Sequence, residues 1–121
     1  MSAIRTVLAV TGFALALEAC THNDYMPNVI QLTPSGTASS PVPEPITSPF
    51  TLIAVEDGYT GQFTAATVSG TCWVVQAPVT SSGAWNVVPQ GSTCATKLDV
   101  ERIEVKDTNG HSAQTYIKST P

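Results

Sequence analysis

The chain is poor in charged residues, and above all in basic ones. Only 12% of its 121 residues are charged, with five Lys and Arg against nine Asp and Glu, which gives a net charge of −4. A protein that holds a nucleic-acid backbone needs concentrated basic side chains, because their attraction to phosphate supplies most of the non-specific affinity. We therefore predict that the chain does not bind nucleic acid.

Residues that carry chemistry are also scarce. The two histidines, His22 and His111, are far apart and have no partner pattern. No Gly-x-Ser-x-Gly element marks a nucleophilic serine. Acidic residues at Glu56-Asp57 and at Asp107 fall in turns, where such side chains usually bond their own backbone, and neither group has the spacing of a calcium loop. The sequence predicts no enzyme, no cofactor and no metal site.

Long apolar runs are absent except at the amino terminus. The segment Val7–Leu17 is apolar, with Thr11 and Gly12 as its only breaks, and Arg5 precedes it. About eleven residues suit the apolar core of an export signal and are too few to cross a bilayer as a helix. Residues 1–19 are therefore predicted to be a signal peptide.

This run ends at Leu17-Glu18-Ala19-Cys20. The tetrapeptide resembles the lipobox of bacterial lipoproteins, with Leu17 at the aliphatic position, Ala19 as the small residue before the cut and Cys20 as the required cysteine. Glu18 departs from the pattern, in which a small or neutral residue is usual. The resemblance implies cleavage after Ala19, diacylglycerol on the Cys20 sulfur and acylation of the new amino group. The alternative is an uncleaved anchor, or a core helix with an incidental cysteine.

The implied anchor decides the location of the protein. Each buried CH₂ contributes about 0.8 kcal/mol, so two or three acyl chains on Cys20 bind a bilayer almost irreversibly. Thr21 follows the cysteine, where Asp would favour retention in the inner membrane in enteric-type sorting. The resemblance therefore implies a lipid-anchored protein of the cell envelope, placed in the outer membrane.

Prolines distinguish residues 21–49 from the rest of the chain. Proline fixes φ and has no N–H, so the alternating prolines of residues 41–45 predict an extended segment without regular pairing. We predict that residues 20–49 are the lipidated cysteine and a disordered Pro/Ser/Thr-rich linker, long enough to lift a domain off the membrane. Two alternatives are a PxxP-type ligand at residues 41–45 and packing of the few apolar residues of 25–32 on the domain.

Apolar and polar residues alternate with a period of two from Phe50 onward. Turn signals at Ser81-Ser82-Gly83 and at residues 107–110 separate several of these segments. The pattern predicts six or seven short strands in an all-β antiparallel sandwich or small barrel over residues 50–121. Residues 96–105 break the alternation, which fits a bulge or a change of strand as well as a helix. Glu101 and Glu104 lie there among basic residues and are predicted to be on a solvated face.

Cys72 and Cys94 remain once Cys20 is assigned to lipid. An exported chain enters an oxidising compartment, so a disulfide is favoured over two free buried thiols. A loop of about 22 residues gives a stabilisation of about 3 kcal/mol. That is a large share of the stability of so small a domain.

Three elements of the domain form a recognisable set. Residues 58–65, GYTGQFTA, lead to Cys72, and Gly91-Ser92-Thr93-Cys94 leads to a closing strand over residues 103–113. Together they resemble an immunoglobulin-like repeat of bacterial exported proteins, over residues 50–118. The resemblance implies a structural or display module with an immunoglobulin-like β-sandwich and no catalytic residues. The chain departs from the pattern in its short segment between the cysteines and its longer gap from Cys94 to Asp107.

Three aromatic residues are candidates for contact with an envelope protein or a surface glycan. Trp73 adjoins Cys72, so the two side chains point to opposite faces of a strand. The sequence favours a core position for Trp73 and for Trp85, with the alternative that one of them is an exposed anchor. Tyr59, in a turn, is the next candidate.

These features predict a non-enzymatic, lipid-anchored envelope lipoprotein. Its small immunoglobulin-like domain would serve structural, adhesion or assembly interactions. The alternative is a phage-lysis or envelope-spanning accessory lipoprotein that acts through its Pro-rich segment. A third hypothesis, a small enzyme or ligand-binding barrel, requires a pocket with convergent polar groups.

Overall fold

The computed structural model of the chain describes residues 29–90, Cys94 and residues 99–121. The predicted signal peptide, the predicted cleavage point after Ala19 and the predicted lipidation site Cys20 lie outside these residues. Within the described part, no helix has the length and apolarity needed to cross a membrane. The strands in this part are β1 (Ile30–Thr33), β2 (Val42–Pro45), β3 (Phe50–Glu56), β4 (Phe63–Ser69), β5 (Trp73–Val75), β6 (Thr80–Ser81), β7 (Ala84–Pro89), β8 (Val100–Lys106) and β9 (Ser112–Thr120).

The strands form two sheets. One has the order β2-β9-β8-β4-β6 and the other the order β1-β3-β7-β5. Neighbouring strands are antiparallel except β2 and β9, which run parallel with Val42 opposite Ile117. The predicted all-β class is confirmed, and the two sheets are those expected of a β-sandwich.

Alternation along the strands builds one core between the sheets. In β3, Leu52 and Ala54 are buried whereas Ile53 is exposed. In β8, Ile103 and Val105 are buried in the same way, and the buried side chains of both sheets form a single cluster. Each fully buried aliphatic side chain contributes about 1.5–3 kcal/mol, so this cluster is the main source of stability.

The first two strands lie inside the segment predicted to be a linker. That prediction is wrong for residues 30–33 and 42–45, and the domain begins before Phe50. β1 pairs antiparallel with β3 and buries Ile30 and Leu32. Packing of the apolar residues of 25–32 on the domain is thus confirmed for these two. Four residues of period-two alternation are too short a signal to predict a strand where the surrounding composition is typical of linkers.

Strand β2 shows how alternating prolines join a sheet. It lies at the edge of the five-stranded sheet, and the N–H of Ile46, just beyond it, donates to the Thr120 carbonyl at 2.9 Å. Backbone groups alternate in direction along a strand, so Pro43 and Pro45 face the open edge, where no donor is needed. The expectation that this segment is unpaired is therefore wrong. Proline forbids pairing on one side only, and here that side faces outward.

The sandwich has two distinct ends, about 20 Å apart along the seven residues of β3. At the end near Phe50, Cys72 and Cys94 form the predicted disulfide, which is confirmed. We call this the disulfide end. At the other end, β3 finishes at Glu56 beside the connection from β8 to β9, which contains His111. We call this the histidine end.

Candidate metal centre

Glu56, Asp107 and His111 form a cluster at the histidine end. Each offers a ligand atom, and these atoms lie within 4.8 Å of one another. Glu56 is the last residue of β3, whereas Asp107 and His111 lie in the connection that joins β8 to β9. The cluster therefore links the four-stranded sheet to the five-stranded sheet.

The period of two along the strands places both carboxylates in the interior. Glu56 continues the inward row of Leu52 and Ala54, and Asp107 continues the inward row of Ile103 and Val105. The side chain of Glu56 is 2% exposed and that of Asp107 is fully buried. Each apolar row thus ends in an acidic residue, and the two rows meet at the end of the core.

The turn after β8 fixes the third member of the cluster. Asp107 Oδ1 accepts the backbone N–H groups of Asn109, at 2.8 Å, and His111, at 2.9 Å. Gly110 has φ of +93°, a left-handed conformation that favours glycine. The closed turn places His111 Nδ1 2.8 Å from Asp107 Oδ2 and 3.2 Å from Glu56 Oε2.

The cluster contains two carboxylates and only one group, the His111 imidazole, that can carry a positive charge. Among the described residues, His111 is the cationic partner found for Glu56 and for Asp107 alike. Glu56 Oε1 is also buried and has no hydrogen-bond partner among these residues. Two adjacent carboxylates that are both buried need a shared proton or a cation, because burying a charge without a partner is costly.

The pKa directions reflect this imbalance. Burial raises the pKa of Glu56, and the adjacent Asp107 carboxylate raises it further. The hydrogen bond to Asp107 raises the pKa of His111, and the charges of both carboxylates add to that effect. Burial alone would raise the pKa of Asp107, but the hydrogen bonds from His111 and from the Asn109 backbone outweigh it and hold that pKa well below its ordinary value. The electrostatics of the site thus favour binding of a proton or another cation.

Tyr59 packs next to this cluster. Its hydroxyl donates to the Gln62 carbonyl and accepts the backbone N–H of Thr108 at 3.2 Å. Its ring meets Phe63 edge to face, with centroids 5.0 Å apart. The polar end of this candidate contact residue therefore already has partners within the domain, and the side chain braces the turn that carries the cluster.

Both tryptophans lie in the core. Trp73 is fully buried and donates from Nε1 to Ser119 Oγ at 3.0 Å. Trp85 is 3% exposed and donates from Nε1 to the Val79 carbonyl at 2.8 Å. The core positions predicted for both tryptophans are confirmed, and the alternative that one of them is an exposed anchor is wrong.

A second buried glutamate lies at the disulfide end. Glu101 is 3% exposed, and its two oxygens accept the backbone N–H groups of Cys72, at 2.8 Å, and Trp73, at 3.0 Å. The prediction of a solvated face is wrong for this residue. It belongs to β8, which lies between β9 and β4 and so has no open edge.

An open groove of about 380 Å³ lies between β4 and β5. Apolar residues such as Val74 and Val79 line it together with three threonines, and none of the lining residues is titratable. Binding sites for small molecules usually add a few convergent polar groups to an apolar wall. The groove therefore presents hydroxyl groups and apolar surface, and it offers no carboxylate or imidazole as a general acid or base.

The sequence does not predict the cluster of Glu56, Asp107 and His111, because both acidic residues are expected in turns and His111 has no partner pattern. The sequence signal that could have indicated the cluster is that an acidic residue continues each of two alternating apolar rows.

No protein-family model, curated protein or solved structure matches the chain.

Proposed function

We propose that the chain is a non-enzymatic lipoprotein of the bacterial cell envelope, anchored in the outer membrane through an acylated Cys20. Its domain is an immunoglobulin-like β-sandwich that contacts another envelope protein. The observation that carries the proposal is Leu17-Glu18-Ala19-Cys20 directly after an apolar export signal. A disulfide-bonded domain follows, as suits a chain in an oxidising compartment.

The position of β1 supports a role close to the membrane. Ile30 lies ten residues after Cys20 and is already paired in a sheet. An extended chain covers at most about 3.3–3.6 Å per residue, so the first strand begins within about 35 Å of the lipidated sulfur. This short tether favours assembly with membrane-proximal envelope proteins over adhesion at a distance.

The strand order supports an immunoglobulin-like fold. The order β1-β3-β7-β5 corresponds to the A, B, E and D strands of a constant-type domain, and β9-β8-β4 corresponds to G, F and C. The disulfide departs from that model, because Cys72 precedes β5 and Cys94 precedes β8, whereas the antibody disulfide would join β3 to β8.

The exposed apolar surface favours a protein partner over a glycan. The large apolar side chains exposed in the described residues are all aliphatic, and Ile53, Val55 and Val74 point outward from the four-stranded sheet. Sugar recognition usually employs the faces of exposed aromatic rings, whereas aliphatic patches are typically covered by another protein. The Pro-rich alternative loses support because Pro43 and Pro45 lie in β2.

The anchor is tested by labelling cells with palmitate. Wild-type chain should incorporate the label and remain with the membranes, whereas Cys20→Ser should incorporate none. The matched control is the double variant Cys72→Ala with Cys94→Ala, which keeps Cys20 and should keep the label. A labelled Cys20→Ser chain, or an unlabelled wild type, would exclude the proposed anchor.

The partner is tested with a photo-crosslinking amino acid in living cells. Placed at Ile53, it should give a discrete adduct that protease digests and glycosidases do not. The control position is Gln114, an exposed residue on β9 in the other sheet. An adduct sensitive to glycosidases, or equal crosslinking from both positions, would contradict the proposed protein contact.

A further inference from the structure

We propose that Glu56, Asp107 and His111 bind one divalent transition-metal ion, of which Zn²⁺ is the representative. The site goes beyond the envelope role proposed above and does not depend on it. Bound there, the ion would join the end of β3 to the connection between β8 and β9, and so hold the two sheets together at the histidine end.

The spacing of the donor atoms suits such an ion. His111 Nδ1 lies 2.8 Å from Asp107 Oδ2 and 3.2 Å from Glu56 Oε2. Ligands bonded to Zn²⁺ at about 2.0–2.2 Å are separated from one another by about 2.9–3.5 Å, depending on the coordination geometry. The third separation, between the carboxylate oxygens of Glu56 and Asp107, is at most 4.8 Å, and closure of the two carboxylates around an ion would bring it into this range. One imidazole with two carboxylates favours a borderline ion such as Zn²⁺ over Ca²⁺, which takes oxygen ligands only.

A second observation points to a missing ligand. Glu56 is 95% buried, and its Oε1 has no hydrogen-bond partner among the described residues. The other oxygen of the same carboxylate lies 3.2 Å from His111 Nδ1, so the unpartnered atom belongs to a group that already borders the cluster. A cation coordinated by both oxygens of Glu56 would satisfy the unpartnered atom and supply a fourth donor.

The surroundings prepare Asp107 and His111 for this role. Asp107 Oδ1 is occupied by two backbone N–H groups, which leaves Oδ2 oriented toward the cluster. Such outer hydrogen bonds are what hold carboxylate ligands in place at metal sites. The His111 side chain is 36% exposed and gives a route from solvent. Binding through Nδ1 requires that nitrogen to be unprotonated, so the ion takes the place of its proton.

The rival explanation is a purely protonic cluster. A proton shared by Glu56 and Asp107, with a cationic His111, would also balance the charge. The two explanations differ in one measurable respect, because only the first gives saturable, stoichiometric binding of a metal ion.

The test uses the full chain in detergent, without an affinity tag, stripped with a chelator and then dialysed. Titration calorimetry with ZnCl₂ should show one ion per chain with a micromolar or tighter Kd. Glu56→Gln and His111→Gln should each weaken binding by at least about 10-fold, the lower end of the losses seen when the surroundings of a metal are perturbed. Glu104→Gln, which removes an acidic residue outside the cluster, and His22→Gln, which removes the other histidine, should leave Kd unchanged.

Two measurements keep the test decisive if a variant folds poorly. Co²⁺ added to the wild type should produce a visible absorption spectrum that Zn²⁺ abolishes, and ¹⁵N resonances of His111 should show coordination at Nδ1. Absence of saturable binding to the wild type, equal affinity in a folded Glu56→Gln variant, or loss of binding in His22→Gln would each overturn the proposal. A chain that takes up no palmitate label would contradict the lipid anchor and would not alter the expected metal binding. The two proposals can therefore be rejected independently of each other.

Discussion

The two ends of the sandwich each contain a buried glutamate, and the two carboxylates differ in their hydrogen-bond partners. At the disulfide end, each oxygen of Glu101 accepts one backbone N–H. At the histidine end, one oxygen of Glu56 faces His111 and the other has no partner among the described residues. A covalent bond closes the first end, and three ionisable side chains lie together at the second.

This difference separates a structural carboxylate from a responsive one. Backbone N–H groups do not titrate, so the environment of Glu101 is constant once the chain has folded. The environment of Glu56 contains Asp107 and His111, whose charges change with pH and with the binding of cations. We expect the disulfide end to determine the basal stability of the domain and the histidine end to determine how stability varies with conditions.

The largest effect is expected from the disulfide. Replacing Cys72 and Cys94 together by alanine should lower the free energy of unfolding by about 3 kcal/mol, because the unfolded chain regains the freedom of a 22-residue loop. Urea denaturation measures the loss, and reductant added to the wild type should reproduce most of it. An unchanged midpoint would refute the view that this end sets the basal stability.

The next effect compares the two glutamates directly. Glu101→Gln should cost about 2 kcal/mol, since its amide NH₂ would face a backbone donor in place of an acceptor. Glu56→Gln, measured with a chelator present, should cause no comparable loss, because an amide can accept from His111 and donate to Asp107. Urea denaturation of both variants decides the matter, and equal losses would remove the distinction between the two ends.

A smaller effect is expected from the brace at the histidine end. Tyr59→Phe keeps the ring against Phe63 but removes hydrogen bonds to Gln62 and Thr108, and should cost about 1 kcal/mol. The control Tyr116→Phe changes a half-buried tyrosine on β9 and should cost less. If thermal melts rank the two variants in the opposite order, Tyr59 does not brace the turn.

The smallest effect is a pH dependence of the metal-free chain, since His111 is partly exposed and solvent screens its interactions. Its pKa is raised above the ordinary value of 6.5, so its stabilisation is complete below about that pH and is lost as pH rises through the folded pKa. The raised pKa of Glu56 acts in the same direction, from about its ordinary 4.5 upward. The lowered pKa of Asp107 acts oppositely, because its contribution is lost as pH falls below about 3.8.

The window above about pH 6.5 therefore contains the titration of His111, and a His111→Gln variant separates its contribution from that of Glu56. Denaturation with a chelator present should show wild type losing stability across this window, and His111→Gln losing less. Parallel pH profiles for the two chains would show that the histidine is not coupled to the carboxylates in the folded state.

Much of the fold could be predicted from local pattern. The alternation in Phe50–Glu56 and Ser112–Thr120 is strong enough to mark strands, and the letters Asp-Thr-Asn-Gly mark the turn at residues 107–110. The broken alternation of residues 96–105 fits a helix as well as a strand, and pairing with two neighbouring strands makes Val100–Lys106 a strand. The strands at residues 30–33 and 42–45 were missed, because their composition is that of a linker and their pairing depends on partners far along the chain. Proline content describes what a segment cannot donate, but it does not say which side of the segment will face a neighbour.

The sequence by itself determined the all-β class and the pairing of Cys72 with Cys94, because each depends on local composition or on a simple count. Only the tertiary structure decided that Glu56, Asp107 and His111 meet, since they come from two sheets whose register is set by packing of the whole core. The same packing removes both carboxylates from water. Burial and proximity together make them a candidate site, and neither property is contained in the residues taken one segment at a time.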